Sequence, residues 1–327
     1  MLSRTADHMF WMARYVERAE NTARMLDVTY QMSLLPQSDE QAQNSWGAVL
    51  SITELRPLFD HFYDEITQHN VLEFMIWDTS NPSSIFSCLK SARENAHAVR
   101  GQLTTEVWET QNATWLELQQ LARTRRKNYD VSQFLDWVKF RSHLSRGVTI
   151  GTTLKDEAFY FIRLGTFLER ADNTARILDV KYHAVSESLT SLVNGHGTNA
   201  EDLHGVNLYQ DFYHWNALLR SVSGFEIYRR VYRDVIIPAR VAELLILRGD
   251  MPRSLANCLS EVVSNLTMVQ NQQSAETQRR AGLLKSELDF GRIGDILDTG
   301  LHTYLTRFLE RVNDLGGRIS KDFLMPA

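Results

Sequence analysis

One helix is written twice in this chain, and that constrains the fold more than any other feature. Residues 17–30 read ERAENTARMLDVTY and residues 169–182 read ERADNTARILDVKY, with 11 of 14 positions identical at an offset of 152 (169 − 17). An apolar stripe runs through each copy. In the first it is Met9, Met12, Val16, Ala19, Ala23, Leu26 and Tyr30; in the second it is Phe161, Leu164, Leu168, Ala171, Ala175, Leu178 and Tyr182. Alternating three- and four-residue steps make a heptad seam. Small residues let helix axes approach, so the spacing predicts that the two helices cross near the alanines, against each other about a pseudo-two-fold axis.

The seam does not explain the polar letters. At 100° per residue, Glu17, Asn21 and Arg24 fall together on the side away from the alanines, with Arg14 and Val28 beside them. Glu169, Asn173 and Arg176 repeat that face, and Arg18 and Arg170 follow the two glutamates. A solvated face needs only to be polar, yet these letters recur unchanged. Two accounts fit. In the preferred one the side chains form a buried polar network that fixes helix register, with the planar arginine fork pairing carboxylates. In the other they line a ligand site, where Arg18, Arg24, Arg170 and Arg176 receive carboxylate or phosphate groups and Glu17 and Glu169 orient them or act as acid–base. No residue is assigned a catalytic role.

The repetition continues downstream. WGAVL at 46–50 faces WNALL at 215–219, and NPSSIFSCL at 81–89 faces MPRSLANCL at 251–259. The offset has grown by 17 (169 − 152), which marks an insertion near 183–214 in the second copy. The expected organisation is two tandem helical units, 1–150 and 151–327, in one compact body. Only six prolines and no runs of alternating Val, Ile and Thr argue against a sheet. Apolar residues recur at helical steps between breakers at 35–45, 78–84, 145–153, 194–205 and 248–254, so the fold class is all-α, a multi-helix bundle. Serines in NPSS and MPRS are expected N-caps. Cys88 and Cys258 fall at equivalent places in apolar helical settings and read as core packing.

Other classes of function are excluded or weakened. A net charge of −5 and a pI near 6.1 give no pull toward nucleic acid. No stretch approaches roughly 18 uninterrupted apolar residues, so no membrane span is expected. Two cysteines supply neither a disulfide framework nor a Cys-x-x-Cys pair, and a cytoplasmic location is the plain expectation. Glu17/Glu20 and Glu169/Asp172 are carboxylates at i, i+3, but a di-metal bundle wants Glu-x-x-His on two helices, so no metal and no cofactor are expected. Phosphate-loop, dinucleotide, zincin and nucleophile-elbow motifs are missing. RTRRK at 123–127 reads as a solvated helix end, and GHGTNAEDLHG, with His196, Glu201, Asp202 and His204, as a flexible insertion. LYQDFYHWNALL at 208–219 reads as an amphipathic helix.

Taken together, YVERAENTARMLDV, DEAFYFIRLGTFLERADNTAR, WDTSNPSSIFSCLKSAREN and LILRGDMPRSLANCL resemble the alpha-E family, a bacterial helical domain with a Glu-Arg motif, over essentially the whole chain. The resemblance carries the motif onto Glu17, Arg18, Glu169 and Arg170. It implies a genomic neighbourhood with a circularly permuted ATP-grasp protein and a transglutaminase-like protein. ATP-grasp enzymes join carboxylates to amines through acyl-phosphates. The expected function is therefore a non-catalytic helical partner of an amide-bond-forming, peptide-modifying system, and such a partner needs an exposed apolar patch. The alternative is an enzyme or ligand-binding protein that holds a carboxylate or phosphorylated peptide on the Glu-Arg helices.

Overall fold

A computed structural model of the chain describes residues 1–34, 38–124, 130–194 and 215–324, and the side chains of all of these except 124 and 180–194. The described residues contain helices and no strand. In the first part of the chain these are α1 (Ser3–Ser33), α2 (Asp39–Ile52), α3 (Arg56–Phe62), α4 (Gln68–Ile76), α5 (Ile85–Ala98), α6 (Thr105–Thr124) and α7 (Val131–Thr152). The long α8 (Glu157–Asn194) follows, and α9 is described over 215–221. The rest comprises α10 (Phe225–Tyr232), α11 (Pro238–Ile246), α12 (Leu255–Met268), α13 (Ala275–Asp289), α14 (Ile293–Thr299) and α15 (Leu301–Phe323). The insertion near 183–214, the four acidic and His residues within it, and most of RTRRK lie outside the described side chains.

The twice-written helices, α1 and α8, form the most extensive pair in the molecule. They run in the same direction and in matched register. Phe10 and Ala13 meet Gly165, Glu17 and Arg18 meet Arg170 and Glu169, and Met25 and Val28 share a cavity wall with Ile177. Around this pair, α5 and α7 pack on α1 while α12 and α15 pack on α8.

The alanine seams do not form the crossing that their spacing predicts. Ala19, Ala23 and Leu26 share a core cluster with Trp46, Phe74, Cys88 and Phe134, whereas Ala171, Ala175 and Leu178 share another with Leu245, Cys258, Leu259 and Phe308. A helix in the middle of a bundle has neighbours on two sides. Here the small residues admit the flanking helices, and the polar face turns toward the other copy. The close approach of α1 to α8 comes at Gly165 instead, where a Cβ would lie 2.2 Å from the carbonyl oxygen of Phe10.

Local signals account for most helix ends. Ser84 and Ser254 cap α5 and α12, accepting from the amides of Ser87 at 3.2 Å and Asn257 at 3.0 Å. Three residues into these helices, Cys88 and Cys258 are fully buried, and burial pushes both thiols up to about 12, which suits packing rather than redox chemistry. Two predicted breakers are helical over part of their length, at 39–45 and 145–152. Ser38 and Gln41 form a capping box that starts α2 inside the 35–45 stretch. The 145–153 stretch continues α7 to Thr152, because α7 packs on α1 and α6 strongly enough to outweigh two glycines at about 1 kcal/mol each.

Candidate functional site

The polar faces of α1 and α8 meet in the middle of the molecule, and their carboxylates and guanidiniums cross over. Arg170 donates to both oxygens of Glu17, Nε to Oε1 at 2.9 Å and Nη2 to Oε2 at 2.8 Å. Arg18 returns the same fork to Glu169, at 2.6 and 3.1 Å. Each arginine also lies over the aromatic ring three residues before it, Arg18 over Tyr15 at 5.8 Å and Arg170 over Phe167 at 5.1 Å.

Around this crossed pair the two sides differ. On the Glu17 side, Arg253 from the turn before α12 donates to Glu17 Oε1 at 3.0 Å, Asn21 Oδ1 at 2.9 Å and Glu20 Oε1 at 2.6 Å. Arg146 of α7 reaches both Glu17 and Glu20, and Ser142 and Arg24 donate to Glu20 as well. Two carboxylates are thus met by four guanidiniums. On the Glu169 side, Arg14 adds a bond at 2.7 Å and Arg176 forks onto Asp172 at 2.7 and 3.2 Å.

The outer arginines reach beyond α1 and α8. Arg24 donates to Ser223 at 2.6 Å, and Arg176 pairs with Glu54. Both recipients follow a helix and sit in left-handed backbone, with φ of 56° at Glu54 and 54° at Ser223. Non-glycine residues adopt that conformation at a cost, and here it aims a polar side chain at the arginine across the interface.

Burial and charge set the protonation states. Burial alone would raise the Glu17 carboxyl; Arg170 and Arg253 outweigh it and hold it below the usual value. Burial opposes Glu20 in the same way, and Arg253 and Arg146 bring it well below normal. Glu169, equally buried, is brought to about 2 by Arg14 and Arg18. For Arg253, burial dominates and lowers the guanidinium despite Glu17 and Glu20. All three carboxylates are therefore ionised acceptors at neutral pH and none is poised as a general acid.

Of the eight residues singled out from the sequence, Glu17, Arg18, Asn21, Arg24, Glu169, Arg170 and Arg176 enter this network. Asn173 has no hydrogen-bond partner among the described residues and faces a cavity of about 210 Å³ lined also by Arg18, Asn21, Ser83, Asp172 and Arg176. Sequence reading misses Arg253, Arg146, Ser142 and His143, whose ring lies between Arg24 at 3.2 Å and Arg146 at 2.8 Å. The signal for Arg253 was present where the two turns differ, MPRS against NPSS. A third Glu-Arg, 310–311, stays outside the network, with Arg311 pairing Glu287 near the surface. Among the described residues, no group of three or more His, Cys, Asp or Glu side chains could hold a metal, and no helix is long and apolar enough to cross a membrane.

A match to a family model decides the kinship. Residues 1–324 match the Alpha-E family model, described as a predicted alpha-helical domain with a conserved ER motif. The chain belongs to the Alpha-E family. No curated protein and no solved structure matches it. In this Alpha-E chain the Glu-Arg dipeptide serves as a reciprocal clasp: each glutamate takes the arginine of the other helix.

Proposed function

We propose that this Alpha-E protein is a non-catalytic helical partner in an amide-bond-forming system. It works in the bacterial cytoplasm beside a circularly permuted ATP-grasp ligase, with a transglutaminase-like protein as a second neighbour. Its two halves are duplicated units about a pseudo-two-fold axis that runs along α1 and α8. One observation carries the reading. The motif carboxylates are ionised and paired with the protein's own guanidiniums, so the Glu-Arg helices are a frame and not an open acid–base site. The contacts Arg24–Ser223 and Arg176–Glu54, which join the halves in the same way from both sides, support the duplicated arrangement. Large apolar side chains left exposed at Phe140, Ile150 and Leu154, on and just beyond α7, are surface that a partner can cover.

The test is co-purification with the neighbouring ATP-grasp protein, followed by an amide-ligation assay of each protein alone and of both together. Stable association, with turnover only when the ligase is present, is the expected result. Ligation by this chain alone, or failure of the pair to associate at micromolar concentration, would refute the proposal.

A further inference from the structure

The two sides of the clasp differ in what surrounds them, and one of the differences leaves a cavity. On the Glu17 side the turn before α12 sends in Arg253, which is buried and bonded to Glu17, Glu20 and Asn21. The equivalent turn before α5 carries Ser83 there. Ser83 is too short to reach Glu169, and the space that an arginine would occupy is the cavity of about 210 Å³, well beyond what a single water needs. The three acceptors that hold Arg253 have counterparts on its walls: Glu169 for Glu17, Asp172 for Glu20 and Asn173 for Asn21.

We propose that this cavity binds the arginine side chain of a peptide ligand, whose guanidinium takes the place that Arg253 fills on the other side. The charges favour a cation. Glu54, Glu169 and Asp172 line the cavity against Arg18 and Arg176, and counting Arg14 behind Glu169 the set is neutral. The Glu17 side already carries Arg170, Arg146 and Arg24 against two carboxylates, and still accepts Arg253. A guanidinium thus enters a less positive setting here than the one in which the fold already holds one.

A second observation points to a ligand with an acceptor as well. Asn21 is 2% exposed, lines the cavity, and accepts from Arg253 at its Oδ1, while its Nδ2 has no acceptor among the described residues. A buried amide donor left unpaired is costly, and it is satisfied when a ligand brings an oxygen to it. Arginine within a peptide offers both groups, the guanidinium for Asn173 and the carboxylates and a backbone carbonyl for Asn21.

The test uses this chain alone, so it stands or falls separately from the partner role. Wild type is titrated calorimetrically with N-acetyl-L-argininamide, with N-acetyl-L-lysinamide as a shape control and with acetate and phosphate as anion controls. The argininamide is expected to bind more tightly than the other three. Ser83→Arg, which fills the cavity from within, is expected to weaken that binding at least about tenfold, the worth of one charge-assisted hydrogen bond. Asn173→Ala removes an acceptor that the folded chain does not use, and is expected to weaken binding without lowering the melting temperature. It keeps the test valid if Ser83→Arg does not fold. No binding up to about 10 mM, binding of the anions in preference, or affinity untouched by Asn173→Ala would overturn the proposal.

Discussion

Glu17→Gln is the most direct test of the clasp, because it removes one charge while keeping shape. In the native protein Glu17 is 1% exposed and accepts from Arg170, Arg253 and Arg146. Glutamine leaves Glu20 as the lone carboxylate facing Arg170, Arg253, Arg146 and Arg24, two of which are nine-tenths buried or more. Its amide nitrogen also points a donor at one of these arginines, which can only donate. Breaking a buried pair from one side costs about 3–5 kcal/mol, since the remaining charge is left desolvated. At an unfolding entropy of about 2.1 cal/mol/K per residue, 1 kcal/mol moves the midpoint of this 327-residue chain by about 1.5 °C, so the drop should be about 4–7 °C. Calorimetry at pH 7 and urea unfolding monitored by circular dichroism both read it. Replacing Glu17 and Arg170 together should cost less than the sum of the single changes, because the two act as a unit. A midpoint within about 1 °C of wild type, well below that range, would show that the network is solvated and the burial argument wrong.

Three further outcomes are expected. The Glu169 carboxyl, ordinarily near 4.5, sits at about 2 in the fold, so its ion pairs contribute about 3 kcal/mol above pH 4.5 and lose it as pH falls toward 2. Stability measured in urea across that window should fall, and fall less steeply in Glu169→Gln; equal slopes would contradict the assignment. Gly165→Ala drives a methyl onto the carbonyl of Phe10 and should destabilise by about 3 kcal/mol or more, read as a lowered melting midpoint, whereas a neutral result would mean the helices have slack at their crossing. Cys88 and Cys258, with thiols near 12 and no exposure, should resist a disulfide reagent at pH 8 until the chain unfolds; prompt labelling of either would contradict their burial.

Much of the fold was legible because it is written in local terms. Helical periodicity gives the all-α class, the serines of NPSS and MPRS give two caps, and the apolar setting of the cysteines gives their burial. Repetition within one chain also picked out the polar letters of the clasp. What local patterns do not give is which helices meet. The alanine spacing predicts a meeting point of the two twice-written helices, whereas each seam receives its own flanking helices. Arg253 lies 236 residues from Glu17 in sequence, and no local pattern links them. Its trace is the point where the repeat departs from itself, arginine in one turn and serine in the other. The glycines of 145–153 misled because tertiary packing overrode propensity.

The parallel register explains why the motif is Glu-Arg and not Glu alone. When two near-identical helices lie side by side in the same direction, like residues come level with like, so Glu17 stands opposite Glu169 and Arg18 opposite Arg170. Glutamates alone would repel at the most buried point of the interface, and arginines alone would do the same. Placing the two types next to each other in sequence resolves this, because each glutamate can reach diagonally to the arginine of the other helix. A one-residue slip in one helix would set Glu against Glu on the diagonal, so the crossed pair also fixes register where an apolar seam would tolerate a shift. The consequence is asymmetric. Substituting apolar residues for all four clasp residues at once should leave the chain folded, as buried ion pairs are often replaceable by well-packed hydrophobes. Exchanging glutamate and arginine within one helix alone, Glu17→Arg with Arg18→Glu, should not, because it restores the like-with-like contacts that the order of the dipeptide avoids.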